Sequence, residues 1–91
     1  MKLTFDVGHA NIGTLVKEFI TDFADRFFVI HCHNNYAAED EHSSIDNGSI
    51  DWKYVTSELI KNGFFGNYII ESIEEPYHSL EILRKMITYE I

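Results

Sequence analysis

The stretch Phe27-Phe28-Val29-Ile30-His31-Cys32-His33-Asn34-Asn35 decides how this chain is read. Its first four residues are an unbroken apolar run of strand type, and the next three bring two imidazoles and a thiol to the end of that strand. The carboxyl ends of parallel strands are where α/β folds place their chemistry. Strand alternation sends His31 and His33 to one face and Cys32 to the other, so two imidazoles look into the same space. A second cluster with metal-ligand chemistry, Asp40-Glu41-His42, follows in the loop.

Outward from this strand the same order of elements recurs on both sides. Before it, residues 3–6 read as a strand, residues 7–11 as a loop, and residues 13–25 as a helix. In that helix Leu15, Val16, Phe19, Ile20 and Phe23 recur on one face, opposite Lys17, Glu18, Thr21 and Asp22. The central strand spans residues 27–33, and a loop of about sixteen residues after it is long enough to suggest a function of its own. It leads to a helix capped by Asp51, with Trp52, Val55, Leu59 and Ile60 as its stripe and Gly63 as its stop. The third unit has a strand over residues 67–72, an acidic loop and a helix after Pro76. Ser79 is its candidate cap, and Leu80, Ile82, Leu83, Met86 and Ile87 its buried side. Three consecutive strand-helix units predict an α/β chain with a parallel sheet and right-handed crossovers. Such a sheet has two open edges and one uncovered face, which further polypeptide, another copy or an open arrangement must resolve.

The 91 residues allow one small domain at most. With 45% hydrophobic and 14% aromatic residues, the composition is that of a packed protein rather than a disordered one. A formal charge of −8 disfavours nucleic acid as a partner, because phosphate-backbone binding uses Lys and Arg to displace counterions. The single cysteine excludes an internal disulfide and fits a reducing compartment. The opening residues contain no apolar leader core, and no run reaches the ~18 apolar residues of a membrane span. A soluble, cytoplasmic protein is expected.

Each unit carries possible ligands at the carboxyl end of its strand. Asp6 and His9 follow the first; His31 and His33 end the second, with Asp40 and His42 in the loop beyond; Glu71 ends the third. In a parallel sheet these ends share one side, so residues distant in sequence converge. Singly, most have an ordinary explanation. Asp6 and Gly8 shape a turn, His9 caps a helix, His31 is a hydrogen-bonded core histidine, and Asp40 with His42 is solvated surface. Glu71 resists that treatment, since a carboxylate ending Tyr68-Ile69-Ile70 is costly to bury without a partner or a metal. Jointly, acids and imidazoles at the same end of all three strands point to a divalent cation. Zinc, manganese, iron or cobalt suits the mixed nitrogen and oxygen donors, and magnesium or calcium suits them less. Cys32 reads as a small buried apolar residue, Trp52 and Phe64-Phe65 as helix-to-sheet packing, and Glu74 and Glu75 as solvated loop. Ser43 and Ser44 lack a nucleophile elbow, which sets serine hydrolase chemistry aside.

Four segments carry a resemblance: Phe5-Asp6-Val7-Gly8-His9-Ala10-Asn11, Val29-Ile30-His31-Cys32-His33-Asn34-Asn35, Asp40-Glu41-His42 leading to Asn47-Gly48-Ser49-Ile50-Asp51-Trp52, and Ile69-Ile70-Glu71-Ser72. In this order they resemble the C-terminal part of the xylose isomerase-like TIM-barrel superfamily, which unites sugar isomerases and epimerases with endonuclease IV-type nucleases of abasic DNA. The resemblance implies that residues 1–91 are a single partial domain, holding roughly strands six to eight of a (β/α)8 barrel. It implies that Asp6, His31 and Glu71 are ligands of the metal shared across the superfamily. His9 would contact substrate in epimerase-like members and ligate in multinuclear ones, and Asp40 and His42 match a loop pair that binds an additional metal in nuclease-like members. The family often has Asp where this chain has Asn34, and its Ile-Gly-x-Gly loop reads Ile45-Asp46-Asn47-Gly48 here. Nothing corresponds to the further metal-binding glutamate of the earlier strands.

The expected function is that of the metal-binding segment of a divalent-metal-dependent isomerase or epimerase acting on a sugar or sugar phosphate. The metal would act as a Lewis acid on neighbouring hydroxyl and carbonyl oxygens, with Glu71, or an upstream glutamate, as the base that moves a carbon-bound proton. His9 or His33 would orient the substrate oxygens. A rival from another reaction class is phosphodiester hydrolysis at abasic DNA, favoured by Asp40 and His42. A third reading is non-catalytic: a segment, inactive alone, that associates with itself or with missing barrel segments to cover its edges.

Overall fold

Strands β1 (Leu3–Asp6), β2 (Phe27–Cys32) and β3 (Asn67–Ile70) form one sheet in the order β1-β2-β3, with both pairings parallel. The structure, a computed structural model, describes residues 3–64 and 66–90; Phe65 of the expected packing pair lies outside them. The register sets Asp6 beside His31 and His31 beside Ile69. Just past β3 the Glu71 N–H still donates to the Cys32 carbonyl at 2.9 Å. The three carboxyl ends are therefore level, and Asp6, His31 and Glu71 sit on adjacent strands of one rim.

The connections are α1 (Val7–Ile12), α2 (Val16–Phe23) followed by a 3-10 turn (Ala24–Arg26), α3 (Trp52–Lys61) and α4 (Pro76–Glu90). Residues 7–11, expected as a loop, are helical instead. Asp6 is the cause: its backbone is extended, and its carboxylate accepts the His9 N–H at 3.0 Å, so an N-cap starts a helix directly at the strand end. The helix expected over residues 13–25 is likewise divided and shorter. Thr14 adopts a left-handed φ of 56°, which no helix continues through, and α2 begins only at Val16. Ser79 is not a cap, because Pro76 already opens α4, where its missing N–H leaves nothing unsatisfied. Ser79 lies in the helix, buried, and its hydroxyl accepts the Ile45 N–H at 3.0 Å.

The core lies on one face of the sheet. Ile20 of α2, Val55 and Leu59 of α3 and Leu83 of α4 pack with Phe5, Ile30 and Cys32, and Trp52 and Phe64 belong to the same cluster. Burial pushes the Cys32 thiol pKa up, so this residue is a packing group, not a nucleophile. On the opposite face Thr4, Asn67 and Ile69 are open to solvent. Both sheet edges are flanked by apolar grooves. One of about 550 Å³ runs beside β1 against Leu15, Phe19 and Phe23, and another of about 400 Å³ lies beside β3 against Tyr68, Ile70, Tyr77 and Leu80. The apolar face of α2 is accordingly only partly used: Ile20 is buried, whereas Phe19, and Leu15 just before the helix, are exposed. Among the described residues no helix is long and apolar enough to cross a membrane.

Asn34 clamps the loop after β2. Its backbone pairs with Ser43 in both directions, at 3.0 and 2.9 Å. Its buried amide nitrogen donates to the carbonyls of Ile45 and Ile50, at 2.6 and 3.1 Å, and its oxygen accepts the N–H groups of Asn35 and Ile50. Gly48 is packed so closely that an added Cβ would collide with the Asn34 amide oxygen. Asp46, where the family pattern has its first glycine, does not adopt positive φ, so a side chain is tolerated there. Glu74, expected as solvated loop, also holds this segment: it is exposed, yet its carboxylate accepts the Ser44 N–H at 3.2 Å and the Asn47 amide at 3.0 Å. The network predicts the effect of Asn34→Asp, the residue the family often carries. Both donors vanish and carboxylate oxygens face two carbonyls, so urea unfolding should show a loss of about 3 kcal/mol, with faster amide exchange across residues 43–50.

Candidate metal centre

The site is assembled around Asp6. One carboxylate oxygen accepts the His9 N–H at 3.0 Å and the His33 Nε2–H at 2.7 Å. The other lies 3.3 Å from His9 Nδ1 and 3.9 Å from His31 Nδ1. Burial alone would raise the Asp6 carboxyl pKa, but the bonds from His33 and the His9 backbone, with the fields of both imidazoles, outweigh it and hold the pKa down to about 2. His31 Nδ1 reaches Glu71 Oε1 at 2.9 Å. Asp6, His31 and Glu71, one from the end of each strand unit, each offer a ligand atom, and these atoms lie within 4.8 Å of one another.

A second group stands beside the first. His33, Asp40 and His42 also bring ligand atoms within 4.8 Å of one another. His42 takes a left-handed φ of 51°, a strained conformation that turns its side chain toward the rim. Its Nδ1–H donates to the Glu71 carbonyl at 2.9 Å, which raises its pKa against the opposing effect of burial, with Asp40 adding to the rise. His9, largely exposed, spans the two groups: its Nε2 lies 2.7 Å from Asp40 and its Nδ1 faces Asp6. Burial slightly disfavours the Asp40 carboxylate, but the His9 bond and the nearby imidazoles hold its pKa below the ordinary value.

All the site residues named from the sequence thus occupy one end of the sheet, in two adjoining groups, and His33 stands with the loop pair Asp40 and His42. The donor sets, an imidazole with two carboxylates and two imidazoles with one carboxylate, fit a borderline divalent cation better than magnesium or calcium. His33 is fully buried and has no atom on the surface. Its ring fills the space beside Gly8, where an added Cβ would collide with Cε1. Two further residues escape sequence reasoning. Asn35, buried, donates to the Gly8 carbonyl at 3.0 Å and accepts from Asn11 at 2.8 Å, and together they pin α1 to the loop. The signal for Asn35 is the pair of amides, Asn34-Asn35, at the end of an apolar strand.

A family model described as xylose isomerase-like TIM barrel matches residues 1–88. The chain belongs to this family. Two uncharacterized proteins of Methanocaldococcus jannaschii are similar to it: one is 32% identical over 90 residues, covering 93% of this chain and 31% of that protein. The other is 31% identical over 61 residues, covering 67% of this chain and 24% of that protein. Among solved structures, a D-tagatose 3-epimerase-like protein superposes with a TM-score of 0.88 at 30% identity, covering 98% of this chain and 35% of that one. The chain therefore spans about a third or less of the relatives it matches, and its three-stranded sheet corresponds to part of the family's barrel.

The low carboxyl pKa of Asp6 carries a stability consequence. A carboxylate with a folded pKa below its unfolded value stabilises the fold above the unfolded pKa, and that contribution is lost as pH falls toward the folded one. For Asp6 the window runs from 3.8 down to about 2, and the contribution is about 2 kcal/mol. In acid titrations of the metal-free chain followed by circular dichroism, Asp6→Asn should remove this part of the acid transition.

Proposed function

We propose that this chain is the metal-binding segment of a divalent-metal-dependent isomerase or epimerase acting on a sugar or sugar phosphate. The observation that carries the reading is the convergence of Asp6, His31 and Glu71 at the carboxyl rim of the sheet, in a chain of this family. The structural similarity to a D-tagatose 3-epimerase-like protein supports the same reaction class. When bound, the ion, zinc, manganese, cobalt or iron by its donor set, supplies Lewis-acid polarisation of neighbouring hydroxyl and carbonyl oxygens.

The chain's own residues divide the remaining work. Asp6 and His31 present fixed donors, because the hydrogen bonds to His33 and the His9 backbone orient the Asp6 carboxylate. Glu71, half-exposed at the rim, is the carboxylate that takes and returns a carbon-bound proton. His9, exposed beside it, orients substrate oxygens. The chain's net charge of −8 favours a small polyol over a nucleic acid, and its single, buried cysteine suits the cytoplasm. With three strands the coordination shell is partial and the rim is open to water, so the isolated segment is inactive. The grooves beside β1 and β3 are where further barrel segments, or another copy, complete it.

The second group, His33 with Asp40 and His42, favours one rival, phosphodiester hydrolysis at abasic DNA, since such displacements use more than one metal ion. The two are separated by incubating the protein that contains the whole barrel with a panel of ketoses in deuterated water and manganese. NMR should show exchange of the proton next to the carbonyl, reduced about 100-fold or more by Glu71→Gln. Absence of exchange with every ketose would overturn the isomerase reading, and cleavage of an abasic oligonucleotide would replace it.

A further inference from the structure

We propose that Asp46 and His78 form a pH-sensitive latch that ties the loop after β2 to the start of α4. The inference goes beyond the metal-dependent reading and does not depend on it.

Three successive loop residues, Ser44, Ile45 and Asp46, face two successive residues of α4, His78 and Ser79. A carboxylate only accepts, so His78 Nε2 donates to one Asp46 oxygen at 2.9 Å and the Ser44 hydroxyl donates to the other at 2.6 Å. The single Ser44 proton is used in this way, and its oxygen therefore accepts from Ser79 at 3.3 Å. Ser79 in turn accepts from Ser72 at 3.0 Å and from the Ile45 N–H at 3.0 Å. The three hydroxyls are buried, whereas Asp46 and His78 are half-exposed. Every hydroxyl thus points one way, from just past β3 through α4 and the loop to one carboxylate at the surface. Hydrogen bonds in such a chain polarise one another, so the charge of Asp46 orders buried hydroxyls that it does not touch.

The latch belongs to this chain's own sequence, because the family pattern has glycine where Asp46 stands, and glycine offers neither contact. Its charge partners are few. Protonated His78 faces Asp46 from the loop and Glu75 and Glu81 from its own end of the chain, while Glu74 accepts the Ser44 N–H at 3.2 Å. The bond to Asp46 raises the His78 pKa above its ordinary 6.5 against the opposing effect of desolvation, and the charges of Asp46, Glu75 and Glu81 add to the rise. The bonds from Ser44 and His78 hold the Asp46 pKa below its ordinary value. A group whose folded pKa is raised contributes fully below its unfolded pKa, and the contribution is lost as pH rises through the folded one. The latch is therefore closed at pH 6.5 and below, down to the range in which Asp46 is protonated, and it weakens on the alkaline side, where His78 no longer offsets the acids around it. The same loop carries Asp40 and His42 to the rim, so the latch sets how firmly they are held there.

The test is NMR on the metal-free chain from about pH 5.5 to about pH 8.5. Ring resonances should place the His78 midpoint above 6.5 in the wild type and closer to 6.5 in Asp46→Asn. Hydrogen-exchange protection of the Ile45 amide, corrected for the intrinsic rate, should fall about 2–5-fold as pH rises through that midpoint. The fall should vanish in His78→Gln, and Asp46→Gly should show the lower protection throughout. His42 titrates in the same loop, so a pH dependence that persists in His78→Gln belongs to His42 and would overturn the latch. A His78 midpoint that Asp46→Asn leaves in place would do the same. Flat Ile45 protection across the wild-type midpoint would overturn it with no variant at all.

Discussion

The carboxylate of Asp6 is shared by three parts of the chain. One oxygen takes the His9 backbone N–H and the His33 ring, and the other faces the rings of His9 and His31. The first bond starts α1 at the very end of β1, which sets His9 at the rim. The second fixes the proton on the buried His33 ring and so decides which of its nitrogens looks toward Asp40. A small carboxylate does this only because a parallel register has already set Asp6 beside His31, with Glu71 one strand further on.

The loop depends on a second, purely structural device. Asn34 satisfies two carbonyls and two N–H groups with one buried amide, and Gly48 leaves room for it. Buried backbone polar groups need partners, and a loop this close to the core could not keep one shape without them. That shape brings Asp40 and His42 back over the rim beside His33. Ser44, Asn47 and Glu74 then tie the same loop to the chain after β3.

What the sheet lacks is as physical as what it holds. Phe19 on the apolar stripe of α2, and Leu15 just before it, are exposed beside β1, and Leu80 and Tyr77 of α4 are exposed beside β3. An amphipathic stripe is thus left partly in water beside each outer strand. The relatives this chain matches are about three times its length.

Much of this was legible in the residues alone. Period-two and helical spacing located three strands and the helices after them, because side-chain alternation and helical periodicity are local properties, and the parallel reading then placed Asp6, His31 and Glu71 at one end. The start of α1 at Val7 was not legible, since the Asp6 cap competes with the turn-forming preference of Asp and Gly by a margin that local sequence does not reveal. Nor was the break at Thr14, whose left-handed backbone interrupts an otherwise continuous apolar period. The burial of His33 and its place beside Asp40 and His42 were decided only by the tertiary structure. Which nitrogen of a ring carries its proton is set by acceptors brought from other elements, Asp6 for His33 and the Glu71 carbonyl for His42, and those exist as neighbours only once the sheet is paired.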